Sequence, residues 1–194
     1  MKEKKVTDLG KDNIGGLLLK LALPAILAQI INVLYNMVDR MYIGHIPKIG
    51  SDALTGVGVT MPVIMAISAF AALVSMGGAP RASIMMGKND KSAAEKILGN
   101  CTLMLVIMAA ILTCVFFIWG EDILLVFGAS SKTIGYALEY MRIYSLGTIF
   151  VQLALGLNAF INAQGYAKMG MFTVAIGAIC NIILDPIFIF QFSM

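Results

Sequence analysis

Two aspartates, Asp39 and Asp185, stand inside stretches of chain that are otherwise apolar. A carboxylate placed in hydrocarbon costs about 2.5–3.5 kcal/mol on insertion scales, so it needs a partner or a cavity. Asp39 ends a series, Gln29, Asn32, Asn36 and Asp39, spaced by three, four and three, which puts all four on one face of a helix. Alone, Asp39 reads equally well as an interfacial residue beside Arg40. Three amides on the same face are not explained that way and point to a polar seam or a water-filled cavity. Asn181 and Asp185 are four apart and share a face, and Pro186 follows directly. Proline gives no N–H to the carbonyl of Ile182 and tends to kink the helix. A carboxylate, an amide and a freed carbonyl are oxygen ligands for a cation or a proton; the plainer alternative is a local cap and helix stop. If the two aspartates face each other they repel, so that one holds its proton or both share a cation.

These residues must be positioned by membrane helices. Hydrophobic residues make up 59% of the 194 and charged residues 13%, and the mean hydropathy is +0.88. A soluble domain has about 25% charged residues, so this chain cannot coat a globule and its surplus apolar surface faces lipid. The net charge of +3 is too small and too scattered for a nucleic-acid partner. Five apolar stretches, each long enough to cross a bilayer, run over about Leu17–Tyr42, Ala53–Gly78, Ile97–Trp119, Ala137–Phe160 and Met169–Phe190. They do not alternate as membrane strands do, so the expected fold is an all-α integral membrane bundle. Residues 1–16 form a cytoplasmic amino-terminal segment and 17–194 the transmembrane unit. The first stretch lacks a small-residue cleavage site and reads as a retained helix.

Orientation follows from the lysines. Lys2, Lys4, Lys5, Lys11 and Lys20 precede or open the first stretch, while Arg81, Lys88, Lys91 and Lys96 lie between the second and third. The positive-inside rule puts the amino terminus in the cytoplasm and, with five spans, Met194 outside. Asp90 is an N-cap candidate for the third span, and Ile123 to Phe127 is expected as a short amphipathic piece at the outer interface. Tyr140 falls at the level of both aspartates. Asn158, five helical turns further on, faces the same way at the other depth, beside Asn162. Glu139 and Arg142 are expected as an interfacial ion pair. Pro24 and Pro62 are hinges or static kinks within spans one and two. Cys101, Cys114 and Cys180 match no zinc or redox spacing and read as buried thiols. No nucleophile–base pair, histidine cluster or phosphate-binding loop points to an enzyme.

Together the segments resemble the multidrug and toxic compound extrusion (MATE) family. The resemblance is carried by Leu21-Ala22-Leu23-Pro24, Val38-Asp39 with Tyr42-Ile43-Gly44, and Ala53-Leu54-Thr55-Gly56-Val57-Gly58. It continues through Met61-Pro62-Val63, Gly77-Gly78-Ala79, Met86-Gly87-Lys88-Asn89-Asp90 and Asn181-Ile182-Ile183-Leu184-Asp185-Pro186. It implies a twelve-helix exporter of two six-helix lobes in the bacterial cytoplasmic membrane, exchanging cationic amphipathic drugs for Na⁺ or H⁺ without other cofactors. The cation or proton site then carries over to Asp39, Asn181 and Asp185, with Asn36, Tyr140 and Asn158 as a supporting network. Gln29, Asn32, Met61 and Met65 would line the drug cavity. The chain covers helices one to five, so it is expected as a fragment that needs the sixth helix and the carboxyl-terminal lobe as partners and does not transport alone. The alternatives are a lipid-linked saccharide flippase of the same superfamily, expected to carry basic residues in its cavity, and a membrane scaffold without transport.

Overall fold

The computed structural model describes residues 14–191, with side chains to residue 189. Its elements are six α-helices: α1 (Ile14–Gly44), α2 (Gly50–Val59), α3 (Met61–Gly87), α4 (Lys91–Val126), α5 (Ile134–Ala163) and α6 (Ala167–Pro186). A π-helical segment, Ile187–Gln191, follows α6. Counting α2 and α3 together, five helical stretches are long and apolar enough to cross a membrane, in agreement with the hydropathy. The lysines at positions 2, 4, 5 and 11, and most of the expected 1–16 segment, lie outside the described residues.

The helix ends follow from local chemistry. Asp90 caps α4 as expected, its carboxylate accepting the Ala93 amide at 3.0 Å. At the other ends the chain turns through left-handed residues, Asn89 after α3, Gly128 after α4 and Gly165 after α5. At each of these the next amide reaches back five residues, for example Tyr166 N–H to Ile161 O at 3.2 Å.

Five expectations need correction. The second stretch is two helices: α2 stops at Thr60, whose buried hydroxyl donates to the Val57 carbonyl at 2.7 Å, and α3 starts afresh. Pro62 is therefore no mid-span kink. It occupies the first turn of α3, where its missing N–H costs nothing; the proline inside that helix is Pro80. Ile123 to Phe127 is no separate interfacial piece, since α4 continues through Val126 and buries Leu124 in the core. Glu139 and Arg142 are exposed, and no ion pair joins them. Of the cysteines, only Cys101 is buried, while Cys114 and Cys180 are exposed.

Two structural units result. Helices α3, α4 and α5 pack on one another along their length, and α1 packs chiefly on α6. Two apolar clusters fill the trio. One gathers Ile67, Leu112, Phe116, Leu124 and Met141; the other gathers Ala71, Val74, Cys101, Leu105 and Phe160. Glycines let the backbones close in: a Cβ at Gly156 would collide with Leu105, and one at Gly78 with Cys101 and Phe160. Side chains also tie the trio together. Thr113 donates to the Ser145 carbonyl at 2.8 Å, Gln152 to the Ile67 carbonyl at 3.0 Å, and Ser83 to the Ala163 carbonyl at 3.1 Å. By contrast Pro24 is the one buried residue of α1. Helix α4 carries charges at both ends, Lys91 and Lys96 at one and Glu121 and Asp122 at the other.

Candidate functional site

The α1–α6 pair carries the acids. Asn181 and Asp185, one turn apart on α6, are joined by a hydrogen bond from Asn181 Nδ2 to Asp185 Oδ1 at 3.0 Å. Asp39 on α1 stands close enough to Asp185 for the two carboxyls to interact. No helix intervenes between the two acids, because α1 and α6 are direct neighbours. In their ionised forms both groups only accept. Asp185 Oδ2 and Asn181 Oδ1 are buried and have no hydrogen-bond partner. Two orphaned oxygens beside a facing carboxyl form a donor-poor, oxygen-rich cluster. Its chemistry suits a proton or a hard monovalent cation, which is held by oxygen ligands and cancels the repulsion between the acids.

Tyr140 of α5 lies within electrostatic range of Asp39, as the sequence placed it, and also of Tyr35 and Tyr144. Its ring stacks on that of Tyr144, with centroids 6.1 Å apart and planes 23° apart. Tyr35 and Tyr144 were not foreseen as members of this cluster. The signal was in the sequence, since Tyr35 precedes Asp39 and Tyr144 follows Tyr140 by one helical turn.

Asn158 belongs to a second cluster at the other end of the α5–α6 contact. Its Nδ2 donates to the Gly170 carbonyl at 3.2 Å and to Thr173 Oγ1 at 3.0 Å. Asn162 Nδ2 donates to Asn158 Oδ1 at 2.9 Å, and Thr173 Oγ1 to the Gly170 carbonyl at 2.7 Å. This knot needs a glycine, because a Cβ at position 170 would collide with Asn162 Oδ1. It fastens α6 to α5 and makes no hydrogen bond to the acids.

Between the two clusters lies a cavity of about 870 Å³ walled by α1, α5 and α6. Its polar lining includes Gln29, Asn32, Tyr35, Asn158, Asn162 and Asn181, and no charged side chain lines it. A second cavity, a groove of about 740 Å³ on the adjoining face of α1, shares Gln29 and Asn32 and adds Asn36 and Arg40. The expected single polar face of α1 is thus divided. Gln29 and Asn32 sit on the boundary, Asp39 faces α6, and Asn36 turns to the groove, where it donates to the Asn32 carbonyl at 2.7 Å. Met61 and Met65 line neither cavity: Met61 receives Arg40 Nη2 at 3.2 Å on its sulfur, and Met65 is 68% exposed.

The MatE family profile matches residues 24–187. Multidrug export protein MepA of Staphylococcus haemolyticus (strain JCSC1435) is 25% identical over 190 residues, which are 98% of this chain and 42% of the relative. A solved chain described only as "protein A" is 32% identical with a TM-score of 0.88, covering 94% of this chain and 41% of that one. A MOP superfamily transporter from Pyrococcus furiosus has a TM-score of 0.88 at 24% identity, covering 100% of this chain and 42% of its own. It is described with the words that reverse polarity of its binding pocket suggests a different function; its likeness shows the fold alone. The chain spans about two fifths of the length of these relatives.

Proposed function

The chain belongs to the MatE family, and on that premise we propose that it acts as part of a cation-coupled exporter of amphipathic, cationic drugs. It is a multi-pass membrane protein, and its family is a family of transporters rather than enzymes. Asp39, Asn181 and Asp185 take up the coupling Na⁺ or H⁺, with Tyr140 beside them. The observation that carries this reading is the pair of buried, partnerless oxygens, Asn181 Oδ1 and Asp185 Oδ2, next to the Asp39 carboxyl. Occupancy by a cation changes the net charge of the cluster by one. An ion that binds one arrangement of α1 against α6 better than another biases the lobe between them. The amide-lined cavity below the acids, with Gln29 and Asn32 in its wall, receives the drug. Its lack of cationic side chains favours a cationic solute over the pyrophosphate of a lipid-linked saccharide. Drug movement requires the carboxyl-terminal lobe that longer relatives carry, and the membrane is the bacterial cytoplasmic membrane with the amino terminus inside.

Two measurements test the reading. In the purified chain, Na⁺ or acid should raise the melting temperature at constant ionic strength, and Asp39→Asn or Asp185→Asn should remove that increment while the chain still folds. An amide keeps the size of the carboxylate but neither binds a proton near neutral pH nor supplies negative charge. In the complete transporter the same variants should abolish drug efflux and leave drug binding in place. Variants that pump as fast as the parent against an ion gradient would make the aspartates structural.

A further inference from the structure

The asparagine knot decides which end of each amide faces the cavity. A carbonyl only accepts, so the bond to the Gly170 carbonyl requires the Nδ2 end of Asn158 there. Asn158 Oδ1 is then the end that meets Asn162, and it takes the proton of Asn162 Nδ2 at 2.9 Å. Asn162 is left with its oxygen, which accepts no hydrogen bond from the described residues, in a half-buried side chain that lines the cavity. Thr173 commits its hydroxyl proton to the Gly170 carbonyl, and Asn181 gives its Nδ2 to Asp185 while its Oδ1 stays partnerless. Each of the four polar side chains on the α5–α6 wall thus has its donor group bonded within the protein. That wall offers acceptors, and a wall of acceptors selects a solute by its donors. The two partnerless oxygens stand far apart. Gly170, against which Asn162 Oδ1 rests, precedes Asn181 by eleven residues, about 16 Å along α6. Asn181 Oδ1 is buried in the acid cluster, so the acceptor open to a solute is Asn162 Oδ1.

Resting on the reading of this cavity as the drug site, we propose that Asn162 selects cationic amphiphiles that carry an N–H on the charged nitrogen. Protonated primary, secondary and tertiary amines donate that N–H to Asn162 Oδ1, and quaternary ammonium ions do not. The sign of the preference is diagnostic. A quaternary ion carries one more methyl than its tertiary parent and has no N–H for water to solvate, so burial in an apolar cavity alone favours the quaternary form. A preference for the N–H cation therefore reports the acceptor.

The test is equilibrium dialysis at neutral pH of imipramine, a protonated tertiary amine, and N-methylimipramine, its quaternary analogue, against the full chain in lipid nanodiscs, with empty nanodiscs as the blank. The parent should bind imipramine about tenfold more tightly, as a hydrogen bond from a charged donor is worth. Asn162→Leu keeps the size of the side chain without its oxygen, and should bring the two affinities together by weakening imipramine alone. Thr173→Val removes bonds of the knot but not the acceptor, and should leave the preference in place. A parent that binds the quaternary ion as tightly as imipramine overturns the proposal whatever the variants do. So does a preference that survives Asn162→Leu or is lost with Thr173→Val; in all three cases the cavity remains a drug site. Binding of neither cation overturns the drug-site reading and this proposal with it.

Discussion

The α3–α4–α5 trio and the α1–α6 pair are built from equally apolar sequence, yet they fold by different means. The trio buries large side chains completely, with Ile67, Leu105 and Leu124 at 0% exposure, and draws its backbones together over glycines. The pair buries almost nothing: apart from Pro24 its buried residues are Ala167, Gly170 and Ala178. What the pair has instead is the acid cluster between its own helices, and the asparagine knot that ties α6 to α5. Lipid is as apolar as leucine, so association inside a membrane depends on close packing and hydrogen bonds rather than on the hydrophobic effect. The trio uses both, its buried side chains and the Thr113, Gln152 and Ser83 hydrogen bonds, whereas the pair has few buried side chains and places its acids where the two helices meet. A polar contact can be switched by a proton or an ion, whereas a packed core cannot. That difference places the switchable residues on the helices least committed to the core.

The comparison is broken most severely by attacking the packing. Gly156→Val should separate α4 from α5, because even a methyl at that position overlaps the Leu105 side chain. Leu105→Ala should cost about 2–5 kcal/mol as a cavity, toward the lower end because lipid offers an apolar alternative. Both should appear as lost monodisperse protein and a lowered melting temperature, and neither should be rescued by Na⁺ or acid. A melting temperature unchanged by either would mean that the trio is not the stable unit.

A smaller effect is expected at the knot. Asn158→Ala removes the bonds to Gly170 and Thr173 and should cost about 0.5–1.5 kcal/mol, the net worth of a typical hydrogen bond, since the Thr173 end is exposed. Hydrogen exchange should rise along α6 and stay constant in α3 and α4. Gly170→Ala should act in the same way by displacing Asn162. Exchange that rises equally in all helices would erase the distinction between pair and trio. The smallest effect belongs to Glu139→Gln, which should leave the melting temperature unchanged at any salt concentration, since exposed charges without a close partner contribute little.

Much of this was legible in the sequence, and the part that was not has physical causes. Membrane spans declare themselves because lipid demands about twenty apolar residues in a row, and no other demand writes so long a signal. The meeting of Asp39 with Asp185 was legible because helical spacing and depth are both read by counting. The break at Thr60 was hidden because α2 and α3 are apolar on both sides of it, and hydropathy averages across the gap. Pro62 was the available clue, read as an interior kink when its place was the first turn of a new helix. The continuation of α4 past Glu121 and Asp122 to Val126 was hidden because the apolar run stops at Trp119. A helix in a membrane may carry its charges beyond the hydrocarbon without stopping. The division of the polar face of α1 was hidden for a third reason: spacing tells which residues share a face, but not which neighbours meet that face.

Those charges on α4 make it a gauge of bilayer thickness. Lys96 and Glu121 are separated by twenty-five residues, about 38 Å of helix, against a hydrocarbon core of about 30 Å. Both collars therefore stand among the headgroups, with a few ångströms to spare at each side. A thinner bilayer is met by tilting α4, and α3 and α5, packed along it, must tilt as well. The α1–α6 pair, fastened mainly through the asparagine knot and α2, has no such obligation. The depth of Asp39 and Asp185 relative to the phosphates is thus set by their own helices, while the rest of the bundle adjusts to the membrane around it.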